Sequence, residues 1–276
     1  MKSIFQKLHL MGTLMLAATS LVLSGCTSGN AQTVPVPATT PAPQLAANTT
    51  AVLVHGAWAD GSSWSSVIPL LQQAGLKVVA VQLPRASLAD DAATVKRTID
   101  LQTGPVILVG HSYGGSVITE AGGNAKVAAL VYVSAFAPDA GQSVNDITDP
   151  FPAPDWKNKI IADEGGYLTL PTDIVTNVFA ADVPKDKALQ MAATQGPLFN
   201  QCFGDKVSVP AWKTKASWWL IGGQDQIIPP ALQQAMAQHI GATVSTSPLS
   251  SHVVMVSHPD DVAAVIMAAA IKTAAQ

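Results

Sequence analysis

From residue 51 onward the chain alternates between two hydrophobic patterns. Short continuous apolar runs occur at 51–54, 77–81, 106–109, 129–133 and 217–221. Successive strand residues point to opposite faces, so a short run apolar at every position fits a strand buried on both faces of a parallel sheet. Between and after these runs lie stretches with helical character near 62–74, 88–101, 113–122, 230–240 and 259–274. Pro229-Pro230 and Pro259-Asp260-Asp261 supply starts for the last two helices. The run 243–247 reads as a final strand. This alternation predicts an open α/β fold, a mostly parallel sheet flanked by helices on both sides. It breaks from about 138 to 210, where prolines and scattered aromatics surround short helical stretches such as 185–194. Because strand runs bound that region on both sides, it is expected to be an inserted helical cap, with the core formed by 50–137 and 211–276.

The first 50 residues follow neither pattern. Lys2 and Lys7 precede an apolar stretch from Leu8 to Leu23, and Leu23-Ser24-Gly25-Cys26 resembles a bacterial lipobox. Residues 1–25 are therefore expected to be a lipoprotein-type signal peptide, with Cys26 lipidated and the protein anchored in a bacterial envelope. Export as a soluble periplasmic or secreted protein is the alternative. Residues 26–49, rich in Thr, Ala and Pro, have no hydrophobic period and read as a disordered tether. Lipidation of Cys26 would leave Cys202 without an intrachain partner, as a lone structural thiol.

Composition narrows the functional classes. The 276 residues are 48% apolar and carry a net charge of −3, with no basic cluster of the kind that binds nucleic acid. Contact with a membrane is expected only through the lipid anchor. No pair of histidines or acids has zinc-ligand spacing, so neither a metal nor another cofactor is expected.

The candidate chemistry lies directly after the strand runs, where open α/β sheets bind their ligands. The run 106–109 leads into Gly110-His111-Ser112-Tyr113-Gly114, a serine bracketed by glycines between a strand and a helix. That G-x-S-x-G spacing suits a nucleophile on a tight strand-to-helix turn. A serine needs a base to take its proton and a carboxylate to orient the base, in the chain order Ser, acid, His. Asp225 follows the run 217–221 and His252 follows 243–247, so Ser112, Asp225 and His252 are the expected catalytic residues. Asp139, after the run 129–133, is an alternative acid. His55, His111, His239 and His258 have plainer readings as loop brace, packing residue, helix-end residue and helix-start residue. His55-Gly56-Ala57-Trp58 follows the first strand, where backbone donors to an oxyanion are expected, so the N–H groups of Ala57 and Tyr113 are assigned that task. Trp58, Phe199 and Trp156 are the expected pocket residues.

The segments "VLVHGAWADGSSW", "GLKVVAVQLP", "VILVGHSYGG", "LVYVSAFAPD", "IPPALQQAMAQHIGA" and "SHVVMVSHP" span most of 51–276. Together they resemble the α/β-hydrolase superfamily, in particular the plant methyl-ester esterase and hydroxynitrile lyase group with its bacterial pyrethroid-hydrolase-like esterases. The resemblance implies the α/β-hydrolase fold and a serine carboxylesterase acting on a small-molecule ester of small to medium size. The lyases of that group carry a Lys after the catalytic His and a Thr in place of the loop glycine. Here Val253 and Gly56 stand at those positions, which disfavours cyanohydrin cleavage. Ser112 stands where dehalogenases and epoxide hydrolases need an Asp. Perhydrolase or haloperoxidase-type chemistry and lactone hydrolysis would use the same triad, and a non-catalytic ligand-binding protein on this fold is a further alternative.

Overall fold

The structure is a computed structural model and describes residues 45–274. The expected signal peptide, Cys26 and the tether as far as residue 44 lie outside the described residues. Residues 45–49, assigned to the tether by composition, instead pack on the fold. Leu45 packs against the core, and buried Thr49 donates through Oγ1 to the Ala46 carbonyl at 2.6 Å.

From Thr50 to Val133 the chain alternates between strand and helix. Strand β1 (Thr50–Val54), helix α1 (Val67–Gln73), β2 (Lys77–Ala80) and α2 (Leu88–Asp100) come first. They are followed by β3 (Val106–His111), α3 (Tyr113–Ala121) and β4 (Val127–Val133). The predicted 62–74 helix is in fact two pieces, a 3-10 turn at Gly61–Trp64 and then α1. Asp60 caps the first piece by accepting from the Ser62 N–H at 2.7 Å.

After β4 the chain leaves the sheet. It forms α4 (Val144–Thr148), β5 (Ile161–Ala162), β6 (Tyr167–Thr169) and α5 (Thr172–Ile174), which runs into a π-helical turn at Val175–Phe179. Helix α6 (Lys185–Thr194), β7 (Leu198–Phe199) and α7 (Gln201–Gly204) complete this segment. It was expected to be helical, yet β5, β6 and β7 form a three-stranded antiparallel sheet. Strands of two or three residues are too short to show a two-residue period in the sequence.

The chain then returns through β8 (Ala216–Gly222), α8 (Pro230–His239), β9 (Thr243–Ser247), α9 (Val254–Ser257) and α10 (Pro259–Ala274). The central sheet has six strands in the order β2-β1-β3-β4-β8-β9, every pair parallel. From β1 the chain moves one way to β2, then back across to β3 on the other side. This reversal leaves a crevice beyond the C-terminal ends of β1 and β3, where open α/β sheets bind ligands. The loop after β1 and the turn after β3 both open there. No helix among the described residues is long and apolar enough to cross a membrane.

Candidate active site

At the end of β3 the backbone turns through Ser112 into α3. Ser112 has φ 52° and ψ −124°, a conformation that costs a side-chain-bearing residue about 1–3 kcal/mol. Backbone bonds hold it there. The Ser112 N–H donates to the Ser134 carbonyl at 3.2 Å, and the Ser112 carbonyl accepts from Gly115 at 2.9 Å and Phe136 at 3.2 Å. A Cβ on Gly110 would stand 2.5 Å from the carbonyl oxygen of Gly114, so the bracketing glycines are required by contact across the turn.

The loop after β1 closes onto this serine. A Cβ on Gly56 would lie 2.7 Å from the Ser112 Cβ. His55 braces the loop while fully buried, donating from Nδ1 to the Gly56 carbonyl at 2.8 Å and accepting the Leu83 N–H at Nε2 at 3.1 Å. Only the neutral ring can make both bonds, and burial lowers its pKa to about 4. Ala57 follows and lines the same cavity as Ser112. Tyr113, the first residue of α3, has an N–H with no intrahelical acceptor by position. Its buried hydroxyl donates to Asp91 at 2.8 Å. Asp91 is itself fully buried and also accepts the Arg85 N–H at 2.7 Å. Burial raises its carboxyl to about 6 against the effect of both donors.

Asp225 and His252 meet across the ends of β8 and β9. His252 Nδ1 donates to Asp225 Oδ2 at 2.8 Å, with both side chains fully buried. The carboxylate is further held at Oδ1 by the N–H groups of Ile227 (2.8 Å) and Ile228 (3.0 Å), and at Oδ2 by Gln233 Nε2 (2.8 Å). Four donors on one buried carboxylate satisfy it as an anion and fix its plane. With Nδ1–H committed to Asp225, the neutral ring carries its lone pair on Nε2, which has no hydrogen-bond partner. The alternative acid, Asp139, is engaged elsewhere. It pairs with Lys213 at 2.7 Å and His239 at 2.9 Å on the surface, and these partners hold its carboxyl down to about 2. His111 donates from Nε2 to the His252 carbonyl at 3.0 Å, its ring 4.6 Å from that of His252. Cys202 is a free buried thiol, pushed up to about 12 by burial.

Ser112 opens into a cavity of about 290 Å³. Its walls are mainly apolar, with Trp58, Phe136, Trp156, Phe203, Ile228 and Leu232 prominent among them. Trp58 stands at φ 58°, donates from Nε1 to the Leu168 carbonyl at 2.9 Å, and packs edge-on against Trp156, Phe179 and Phe203. Trp156 donates to the Gln226 carbonyl at 2.9 Å. Phe199, expected among the pocket residues, does not line this cavity. β7 pairs it with Tyr167 on the outer face of the small sheet, rings 5.2 Å apart, and turns buried Leu198 inward instead. Among the described residues no group of His, Cys, Asp or Glu is arranged to hold a metal ion.

Three contributors escaped sequence reasoning. Gln233 is fully buried and spends its amide N–H groups on Asp225 and on the Ile228 carbonyl at 2.7 Å. Its signal was a Gln on the buried stripe of α8 beside Leu232, Met236 and Ala237. Arg85, at φ 58°, joins the loop after β1 to the cap, donating to the Ala59 carbonyl at 2.9 Å and the Pro197 carbonyl at 3.1 Å. Phe179 sets its ring 5.1 Å from that of His252. Nothing in the local sequence marks either of the last two.

Residues 51–265 match the family described as "Alpha/beta hydrolase family". The chain is 37% identical over 107 residues to a carbendazim hydrolyzing esterase of Nocardioides sp. (strain SG-4G), covering 34% of this chain and 44% of that protein. In this and similar matches the chain spans about half the length of the curated relatives. It is 26% identical over 255 residues to salicylic acid-binding protein 2 of Nicotiana tabacum, covering 78% of this chain and 95% of that protein. The crystal structure of a pyrethroid hydrolase from Sphingobium faniae JZ-2 is similar with a TM-score of 0.68 at 23% identity, over 80% of this chain and 97% of that one. At that identity the likeness concerns the fold alone.

Proposed function

The chain belongs to the alpha/beta hydrolase family, and on that premise we propose that it is a serine carboxylesterase acting on small to medium-sized hydrophobic esters. The observation that carries this reading is the 2.8 Å bond from His252 Nδ1 to Asp225, which leaves Nε2 of the same ring unpartnered while Ser112 lines an apolar cavity. The esterase named among its relatives supports the same class.

In this reading Ser112 Oγ attacks the ester carbonyl as His252 Nε2 takes its proton. Asp225 stays ionised and stabilises the imidazolium that forms. The carbonyl oxygen becomes an oxyanion and accepts from the N–H groups of Ala57 and Tyr113, the latter at the positive end of α3. His252 then returns the proton to the leaving alkoxide, releasing the alcohol and leaving an acyl group on Ser112. Water, deprotonated by His252, attacks that acyl-enzyme and frees the acid. The apolar walls around Trp58 and Trp156 hold the acyl or alkyl chain by excluding water from it.

The test is turnover of p-nitrophenyl esters from acetate to decanoate by the full chain and by Ser112→Ala. Turnover that disappears in the variant, with an optimum at intermediate chain length, is the expected result. A folded wild-type protein inactive across the series, or a Ser112→Ala variant as active as wild type, would overturn the reading.

A further inference from the structure

The general base assigned above sits on a short turn, Ser250-Ser251-His252-Val253, that connects β9 to α9. Residues from the sheet side hold His252 at two points: Asp225 at Nδ1 and His111 at the backbone carbonyl. The cap touches the same turn through one short segment, the end of the π-helical turn and the residues that lead into α6. The Phe179 ring lies 5.1 Å from the His252 ring, and the Phe179 carbonyl accepts from Ser251 Oγ at 3.3 Å. Three residues on, Asp182 accepts from the same Ser251 hydroxyl through Oδ1. Its other oxygen stands 3.4 Å from His258 Nδ1, a residue on the far side of α9.

This arrangement is more specific than a packing contact. Ser251 is buried, and its hydroxyl points at two acceptors supplied by the cap. Asp182 keeps partial exposure, yet its Oδ2 is a buried atom without a hydrogen bond, a placement that costs a polar atom free energy and an apolar one none. A hydrogen bond to a charged acceptor is about twice as strong as a neutral one, and it attaches to the residue immediately before the base. π-helical turns of this kind recur at functional sites, because the extra residue redirects the chain without ending the helix.

We propose that Asp182 is a positioning residue of the active site: from the cap, it fixes the Ser251–His252 turn, so that the cap as well as the sheet sets where the His252 ring stands. The inference rests on the reading of His252 as the general base. The cap thereby does two things with two segments: residues such as Val144, Trp156 and Leu168 wall the substrate cavity, while Phe179 and Asp182 hold the turn that carries the proton acceptor.

Steady-state kinetics on a p-nitrophenyl ester, using the full chain, separates this role from a structural one. Asp182→Ala should lower kcat by about 10-fold or more while KM changes less than about twofold, since small displacements of a catalytic group act on the chemical step. Asp182→Asn keeps an oxygen that accepts from Ser251 and should recover most of that loss. Ser251→Ala should match Asp182→Ala, and the double variant should be no worse than either, the non-additivity of two residues sharing one bond. An Asp182→Ala variant with wild-type kcat, or a loss confined to KM, would overturn the proposal. A proton spectrum of the His252 Nδ1–H gives a readout independent of turnover. Its downfield resonance should broaden or shift in Asp182→Ala and return in Asp182→Asn; an unchanged resonance in the alanine variant overturns the proposal. Should the wild type lack Ser112-dependent turnover, the esterase reading fails while this spectrum still decides the role of Asp182.

Discussion

The turn after β3 and the cap above it are built by opposite means. Around Ser112 every neighbour is fixed: β3 is buried at all six positions, α3 buries eight of its nine, and backbone meets backbone across the glycines. In the cap, α6 buries only Ala188, and the 3-10 turn at Asp155–Lys159 that carries Trp156 buries nothing. The groups assigned to bond-making chemistry stand on the rigid side, where a strained φ can be held in place by its surroundings. The groups that meet the variable part of a ligand stand on the sparsely packed side, where substitution costs little stability. Hydrogen bonds tie the two sides at several points, among them Trp58 to Leu168, Arg85 to Pro197, Trp156 to Gln226, Leu88 to Asp205, Ser208 to Glu120, and Ser251 to Phe179 and Asp182.

Substitutions on the two sides should therefore fail differently. The largest effect is expected at Asp225→Asn, which keeps the shape but lets an amide face His252 Nδ1 and favours the wrong tautomer; kcat should fall about 10⁴-fold with the fold intact by circular dichroism. Next, Gln233→Leu removes one of the four donors on Asp225 without touching substrate. A kcat lowered by about 10-fold with KM unchanged, in initial-rate kinetics, is the expected signature. On the cap side Trp156→Ala should act the other way. It should raise KM by several-fold and move the preferred acyl length upward, with kcat for short esters within about threefold of wild type. Equal loss of kcat for every ester in that variant would erase the distinction between the two sides.

The smallest effect is on stability and lies at Asp91, which Tyr113 joins to the turn after β3. Asp91 has its carboxyl raised to about 6, so between the ordinary carboxylate range and pH 6 the folded state binds more protons than the unfolded one. Its contribution to stability therefore falls as pH rises through that window. His55, lowered to about 4, works with the opposite sign, its contribution falling as pH drops from 6.5 towards 4. Asp91→Asn removes only the first effect. Thermal melts from pH 4 to 8 should show the variant gaining about 1–3 kcal/mol relative to wild type as pH rises. A constant difference across the range would contradict the assignment.

The centre of the sheet was legible because β1, β3, β4 and β8 are buried along nearly their whole length, which writes apolar runs into the sequence, whereas the edge strands β2 and β9 are only partly covered. The bracketed serine was legible for a related reason: glycine is demanded wherever backbone crosses backbone. Asp225 could be singled out because it follows the apolar run of β8, and His252 because it follows the shorter, polar edge strand β9. The cap was not legible in this way. Its strands are two or three residues long, and Phe199 sits on the outer face of β7 although its neighbour Leu198 is buried. Leu45 to Thr49 were lost to the tether because one leucine and a buried threonine make no period. Arg85 and Asp182 act across 112 and 69 residues of sequence, and a single sequence carries no trace of such pairings, whereas Gln233 shows only as a Gln on the buried stripe of α8.

The most direct test of a nucleophilic Ser112 is to treat the full chain with a fluorophosphonate ester and map the adduct by mass spectrometry of its peptides. One phosphonyl group on the peptide containing Ser112, absent after Ser112→Ala and slowed by Asp225→Asn, is the result expected of a serine activated by His252. An unlabelled Ser112 in the folded protein, or a label that survives Ser112→Ala, would contradict it.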